Sequence, residues 1–191
     1  MNLKLKKILK FLVLGLILGL ISLVCIGNIS GAKYPKHFEA YVLKYSKEYK
    51  VDPYLVFAVI KTESNFFPYA KSRRNAQGLM QLTPDTSDWI AKKLDISEEE
   101  RLKPENNIRM GCWYLKYLKT IFKEDETALA AYNAGQGNVK KWLKEKEHSD
   151  DGVNLKDIPF FETKNYVKKV MRYYSEYKKK YEKKVTIDED Y

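Results

Sequence analysis

Asp52-Pro53-Tyr54-Leu55-Val56-Phe57-Ala58-Val59-Ile60-Lys61-Thr62-Glu63 reads as one helix with a marked beginning. Asp52 is a capping residue type, and a proline at the first helical position gives up an N–H that would be unpaired anyway. Val56, Val59 and Ile60 recur at helical spacing and define a buried face. Glu63 follows Val59 by four residues and Ile60 by three, so it continues that apolar stripe at the end of the helix. Lys61 and Thr62 occupy the flanking directions.

The helical period extends to both sides. Phe38, Tyr41, Val42, Tyr45 and Tyr49 form one face of a preceding helix. Thr83-Pro84 repeats the start signal ahead of Trp89, Ile90 and Leu94. Asn106 or Asn107 can cap a helix carrying Ile108, Cys112, Leu115 and Leu118. A shorter helix through Ala128, Leu129 and Ala131 stops at Asn133-Ala134-Gly135, a glycine-type end. Another runs through Val139, Trp142 and Leu143, and a long one from about Thr163 through Tyr166, Val167, Val170 and Tyr174.

Two stretches refuse helix: residues 65–82, with Asn65, Pro68, Asn75 and Gly78, and residues 147–159, polar and ending at Ile158-Pro159. Neither shows the alternating runs that a sheet needs. The expected architecture is therefore all-α. One helical domain, monomeric, spans residues 33–184, with a membrane anchor at 1–32 before it and a frayed acidic tail at 185–191 after it.

The N-terminal segment is of another kind. Lys4, Lys6, Lys7 and Lys10 precede residues 11–26, which are apolar apart from glycines and Ser22. Flanking lysines predict a cytoplasmic N-terminus and an exported domain. The run is long for a signal-peptide core, which favours a retained single-pass anchor over cleavage after Ser30-Gly31-Ala32. Either fate puts the domain on the extracytoplasmic side.

Of 191 residues, 35 are basic and 25 acidic, a formal net charge of +10; the four N-terminal lysines leave +6 for the remainder. That excess suits an anionic partner or simply a solvated basic face. No basic run interleaved with stacking aromatics supports nucleic-acid binding. Cys25 and Cys112 cannot staple the domain, and Cys112 on an apolar helix side reads as a small core residue. His37 and His148 lack ligand-spaced neighbours, so no metal site is expected. Gly135-Gln136-Gly137 lacks the strand and third glycine of a phosphate-cradling loop, and no cofactor is expected.

The chemistry rests on Glu63. A carboxyl at the end of a buried stripe is partly desolvated, which disfavours its charged form and raises its pKa. A carboxylic acid still protonated near neutrality suits the protonation of a glycosidic leaving oxygen. Geometry alone leaves a second reading open: a buried glutamate bonded only to loop backbone, such as residues 76–81.

Glu63-Ser64-Asn65-Phe66, Ala70-Lys71-Ser72 and Ala76-Gln77-Gly78-Leu79-Met80-Gln81-Leu82-Thr83-Pro84 together resemble the first motif of the lytic transglycosylases related to soluble lytic transglycosylase. Asn107-Ile108-Arg109-Met110-Gly111 with Tyr114-Leu115 resembles their second block. Ala130-Ala131-Tyr132-Asn133-Ala134-Gly135-Gln136-Gly137-Asn138-Val139 resembles the third, and Ile158-Pro159-Phe160-Phe161-Glu162-Thr163 with Tyr166-Val167 the fourth. Four blocks in order make a specific signal where one would be weak.

The resemblance implies a goose-lysozyme-like helical fold acting on peptidoglycan glycan strands at the bond between N-acetylmuramic acid and N-acetylglucosamine. It makes Glu63 the acid and base of a reaction in which the muramic C6 hydroxyl closes a 1,6-anhydro ring. Ordinary glycosidases use two carboxylates; an internal hydroxyl of high effective molarity removes the need to position a water.

The same resemblance marks Ser72, Gln81, Tyr132, Asn133, Glu162 and Tyr166 as substrate-binding candidates. Each has a structural alternative. Ser72 could cap its loop, Gln81 could be a helix-entry residue, and Tyr132 and Tyr166 could be core aromatics. Asn133 could tolerate a left-handed helix end, and Glu162 could bond loop amides near a helix N-terminus. Asn75 departs from the family glycine before Ala76, yet asparagine tolerates positive φ. Arg73 and Arg74 add positive charge beside this loop and could favour acidic stems or wall polymers. The competing functions are a goose-type lysozyme, with water as nucleophile, and a silent glycan-binding envelope protein.

Overall fold

The computed structural model describes residues 12–13, 15–17 and 33–188, with side chains through Glu182. Its contacts divide the chain into two units, Met1–Pro35 and Lys36–Tyr191. In the first unit, residues 12–13 and 15–17 are helical. Most of the expected anchor at 1–32 lies outside the described residues. Among those described, no helix is long and apolar enough to cross a membrane.

The helices of the second unit run in the order α1 (Glu39–Tyr49), α2 (Pro53–Glu63), α3 (Pro84–Leu94), α4 (Pro104–Ile121), α5 (Asp125–Ala134), α6 (Gln136–Trp142) and α7 (Phe161–Asp188). A 3-10 turn at Glu98–Glu100 lies between α3 and α4. The only β-type pairings among the described residues are two isolated bridges, Lys71 with Gln77 and Gln77 with Leu82. The all-α expectation therefore holds. Helix α7 continues to Asp188, through part of the segment expected to fray; residues 189–191 lie outside the described residues.

Helix α2 is the hub. The sequence marked one buried stripe, but every residue from Leu55 to Ile60 is buried, because α1 and α7 both pack against this helix. Leu55, Phe57 and Ile60 are at most 1% exposed, and full burial of each such side chain contributes about 1.5–3 kcal/mol. Phe57 stacks on Tyr177 of α7 at 5.5 Å. Asp52 caps α2 by accepting from Tyr54 N at 2.8 Å, and its second oxygen accepts from the Tyr174 hydroxyl at 2.7 Å. One carboxylate thus starts α2 and ties α7 to it.

Helix α4 corrects one reading. It starts at Pro104 with Lys103 at the cap position, so neither Asn106 nor Asn107 caps it. Asn107 is buried one turn inside. Cys112 is fully buried on the same helix, and burial pushes its thiol pKa up, as suits a core residue. Gly135 ends α5 at φ 86.

Candidate active site

The non-helical stretch at residues 65–82 meets the ends of α2 and α5 and the start of α7 at a cleft of about 520 Å3. Glu63, the last residue of α2, lines it together with Ser72, Gln81, Tyr132, Asn133 and Glu162. Six of the seven residues singled out in the sequence therefore share one cavity. Tyr166 is the exception: it is buried behind Glu63, in α7, and does not line the cleft.

The loop at 64–83 is held from three sides. The Ser64 hydroxyl donates to Leu79 O at 2.8 Å, from the C-cap of α2. The Tyr132 hydroxyl donates to Met80 O at 2.7 Å, from α5. From α4, Asn107 Oδ1 accepts from Met80 N at 2.8 Å and its Nδ2 donates to Gln77 O at 3.3 Å. Gly78 has φ 83 and lies against Asn107, where a Cβ would overlap the amide. A Cβ on Gly111 would likewise overlap Met80. The glycines of the first and second blocks thus admit the contacts that fix the loop.

This arrangement gives each candidate a local role. Gln81, at φ 47, donates its amide to the carbonyls of Ala70 and Gly78, both at 2.9 Å, which leaves its amide oxygen for a ligand. Ser72 Oγ accepts from Arg74 N at 3.2 Å and Ala76 N at 3.1 Å, so its hydroxyl shapes the turn. Asn75 takes φ 60, as its side chain permits in place of glycine. Asn133 Oδ1 accepts from the buried Thr163 hydroxyl at 2.7 Å, joining the end of α5 to the start of α7. Glu162 bonds no loop amide among the described residues; its carboxylate faces Arg74 at 3.5 Å.

The Glu63 carboxyl is raised from 4.5 to about 7. Burial is the main cause; the Tyr166 hydroxyl and the Lys169 ammonium pull the other way, and the Glu162 charge adds a smaller rise. Burial also pushes the phenols of Tyr132 and Tyr166 well up, with the charge of Glu63 adding to it, so both stay protonated. The buried Tyr166 hydroxyl makes no other hydrogen bond of ordinary geometry. A half-buried acid that holds its proton near neutrality, at the base of an open cleft, can donate that proton to a bound oxygen and take one back.

Sequence reasoning missed the Asn107 and Ser64 tethers and the influence of Lys169 on Glu63. Asn107 left one trace: it stands four residues before Gly111, on the buried side of α4, where a polar residue needs a partner.

The transglycosylase SLT domain family matches residues 40–154. The soluble lytic murein transglycosylase of Salmonella typhimurium is 34% identical over 152 residues, covering 76% of this chain and 24% of that protein. The membrane-bound lytic murein transglycosylase C of Actinobacillus pleuropneumoniae is 32% identical over 156 residues, covering 69% of this chain and 43% of its own length. Among solved structures, an inactive mutant of the lytic transglycosylase Slt from Pseudomonas aeruginosa superposes with a TM-score of 0.66 at 33% identity. That match covers 77% of this chain and 25% of the other. The 70-kDa soluble lytic transglycosylase of Escherichia coli gives 0.67 at 30%, with 78% and 25% covered. The chain spans about a quarter of the length of the soluble relatives it matches.

Proposed function

The chain belongs to the transglycosylase SLT family, and from that premise we propose that it is a peptidoglycan lytic transglycosylase with Glu63 as its acid and base. The observation that carries the reading is the Glu63 carboxyl at the base of the cleft, raised to about 7. Protonated Glu63 gives its proton to the glycosidic oxygen as the bond to the muramic anomeric carbon breaks. The resulting carboxylate takes the proton from the muramic C6 hydroxyl as that oxygen bonds to the anomeric carbon. The proton count closes, no water is consumed, and the product carries a 1,6-anhydro ring. Gln81, Tyr132, Asn133 and Glu162 are the proposed substrate contacts, with Ser72 shaping the turn beside them and Tyr166 supporting Glu63 from behind.

One observation favours hydrolysis instead. Glu162 places a second carboxylate in the same cleft, and a second carboxylate can activate water. Against this, Glu162 is 72% exposed and faces Arg74, at the rim. Mass spectrometry of purified peptidoglycan treated with the full chain separates the two. Anhydromuropeptides that vanish with Glu63→Gln support the transglycosylase. Reducing-end muropeptides make it a lysozyme-type hydrolase, and no products at all make it a glycan-binding protein.

The same reading extends to the location of the domain. Lysines ahead of residues 11–26 support a retained anchor with the domain facing the wall, and one relative is named membrane-bound. Protease added to spheroplasts should digest the domain; its protection there would reverse the orientation.

A further inference from the structure

Residues 72–75 form a closed turn. Asn75 N donates to Ser72 O at 3.0 Å and Ser72 N donates to Ala76 O at 2.9 Å, while Ser72 Oγ accepts from Arg74 N within the turn and from Ala76 N just after it. Arg73 and Arg74 are its two central residues, and both line the cleft that holds Glu63. Arg74 is 76% exposed; its partner Glu162 stands across the cleft at 3.5 Å and is 72% exposed. Arg73 has no hydrogen bond or ion pair among the described residues. Two guanidinium groups thus line the cleft, and only that of Arg74 meets a carboxylate.

A pair this long and this exposed contributes little to the fold. Guanidinium forks bind carboxylates better in bidentate, partly desolvated geometry, which a ligand filling the cleft would supply. Such a ligand would displace Glu162 at small cost and gain a second arginine.

We propose that Arg73 and Arg74 form a carboxylate subsite that reads the acid carried on the 3-O-lactyl branch of muramic acid, with Glu162 as its displaceable internal occupant. The inference rests on the reading of this cleft as a peptidoglycan-cleaving site. The subsite makes the enzyme selective for strands that carry charge beside the scissile bond. On strands with stems the lactyl carboxyl is an amide and the carboxylate is the peptide's; on bare strands it is the lactyl group's own.

The test uses the full chain and three substrates, all freed of phosphodiester wall polymers. One is strands with their stem peptides; the second is the same strands with carboxylates amidated by carbodiimide and ammonia; the third is strands stripped of peptide, which exposes the lactyl carboxylate. The wild-type chain should prefer charged over amidated strands. In Arg73→Ser/Arg74→Ser the ratio of kcat/KM on charged over amidated strands should fall roughly fivefold, toward one. The double lysine variant should keep part of the preference, and Glu162→Gln should raise the ratio by releasing Arg74. Stripped strands that behave as charged show that the subsite also takes the lactyl carboxylate once it is freed; stripped strands that behave as amidated restrict it to the carboxylates of the peptide.

A wild-type chain without preference, or a double serine variant slowed equally on both strands, overturns the subsite. So does a preference that returns only when phosphodiester polymers are left in place. Sedimentation of Glu63→Gln with charged and amidated strands separates this from the cleavage reading. Charge-dependent binding without cleavage by the wild type keeps the subsite and sinks the reaction; cleavage with charge-independent binding does the reverse.

Discussion

The Tyr132 hydroxyl donates to the Met80 carbonyl at 2.7 Å, so that α5 holds the loop one residue before Gln81. The carbonyl belongs to a buried residue, and an acceptor left unpaired there keeps its desolvation cost. Tyr132→Phe retains the ring beside Tyr114, whose centroid is 5.2 Å away, and removes the bond alone. It should cost about 1 kcal/mol, or roughly 3 °C in Tm. Thermal melts of the two chains measure this, and an unchanged Tm would show that the tether is not needed.

Asn107 joins the same loop to α4 through two hydrogen bonds. Asn107→Ala leaves a buried N–H and a carbonyl without partners and opens a small cavity. A loss of roughly 2–4 kcal/mol is expected. Because Gln81 follows directly on Met80, kcat/KM should fall more than in a surface variant of equal stability. Urea melts and turnover of muropeptides check both; stable, fully active protein would remove Asn107 from the site's support.

These two residues show where the sequence was readable. Proline starts mark α2 and α3, Gly135 marks the end of α5, and the resemblance named six residues that line one cleft. Those signals are local, with partners within a turn of helix. Asn107 was read as a cap because its true partners, Met80 and Gln77, come from a loop 27 and 30 residues earlier. The stripe of α2 was legible, but the burial of Leu55, Phe57 and Ala58 was not. It depends on α7 returning from more than a hundred residues away, and periodicity within one helix cannot show what covers its other sides. Tyr166 was marked for the groove by the resemblance, with core packing as its alternative; the packing of α7 buries it behind Glu63.

Lys169 lies one turn beyond Tyr166 in α7, and its positive charge lowers the Glu63 pKa. Removing it should raise that pKa, so the acid form persists to higher pH. In Lys169→Gln the alkaline limb of the pH–rate profile should move upward by a fraction of a pH unit, with the rate at pH 8 increased relative to the optimum. Lys168→Gln, a neighbouring exposed lysine, serves as control. An identical limb in wild type and Lys169→Gln would show that Lys169 does not tune the acid.

Glu63 itself links activity to stability. In the folded chain it keeps its proton to about pH 7, against an ordinary value of 4.5. Between those values the folded state binds more protons than the unfolded state, so stability falls as pH rises. The favourable contribution is complete below about pH 4.5 and lost above about 7. A full shift of this size would correspond to about 3 kcal/mol, and the partial exposure of the residue brings the expected value nearer to about 2 kcal/mol. Glu63→Gln carries no titrating group, while every other acid is common to both chains, so the difference between their melts isolates this carboxyl. The variant should be inactive, melt close to wild type at pH 4.5, and melt roughly 5 °C higher at pH 8. Wild-type kcat/KM should fall through the same window, above about pH 7, as the proton donor is lost. Parallel melts with no gain for the variant at pH 8 would place the Glu63 pKa near its ordinary value and leave the cleft without a neutral-pH acid.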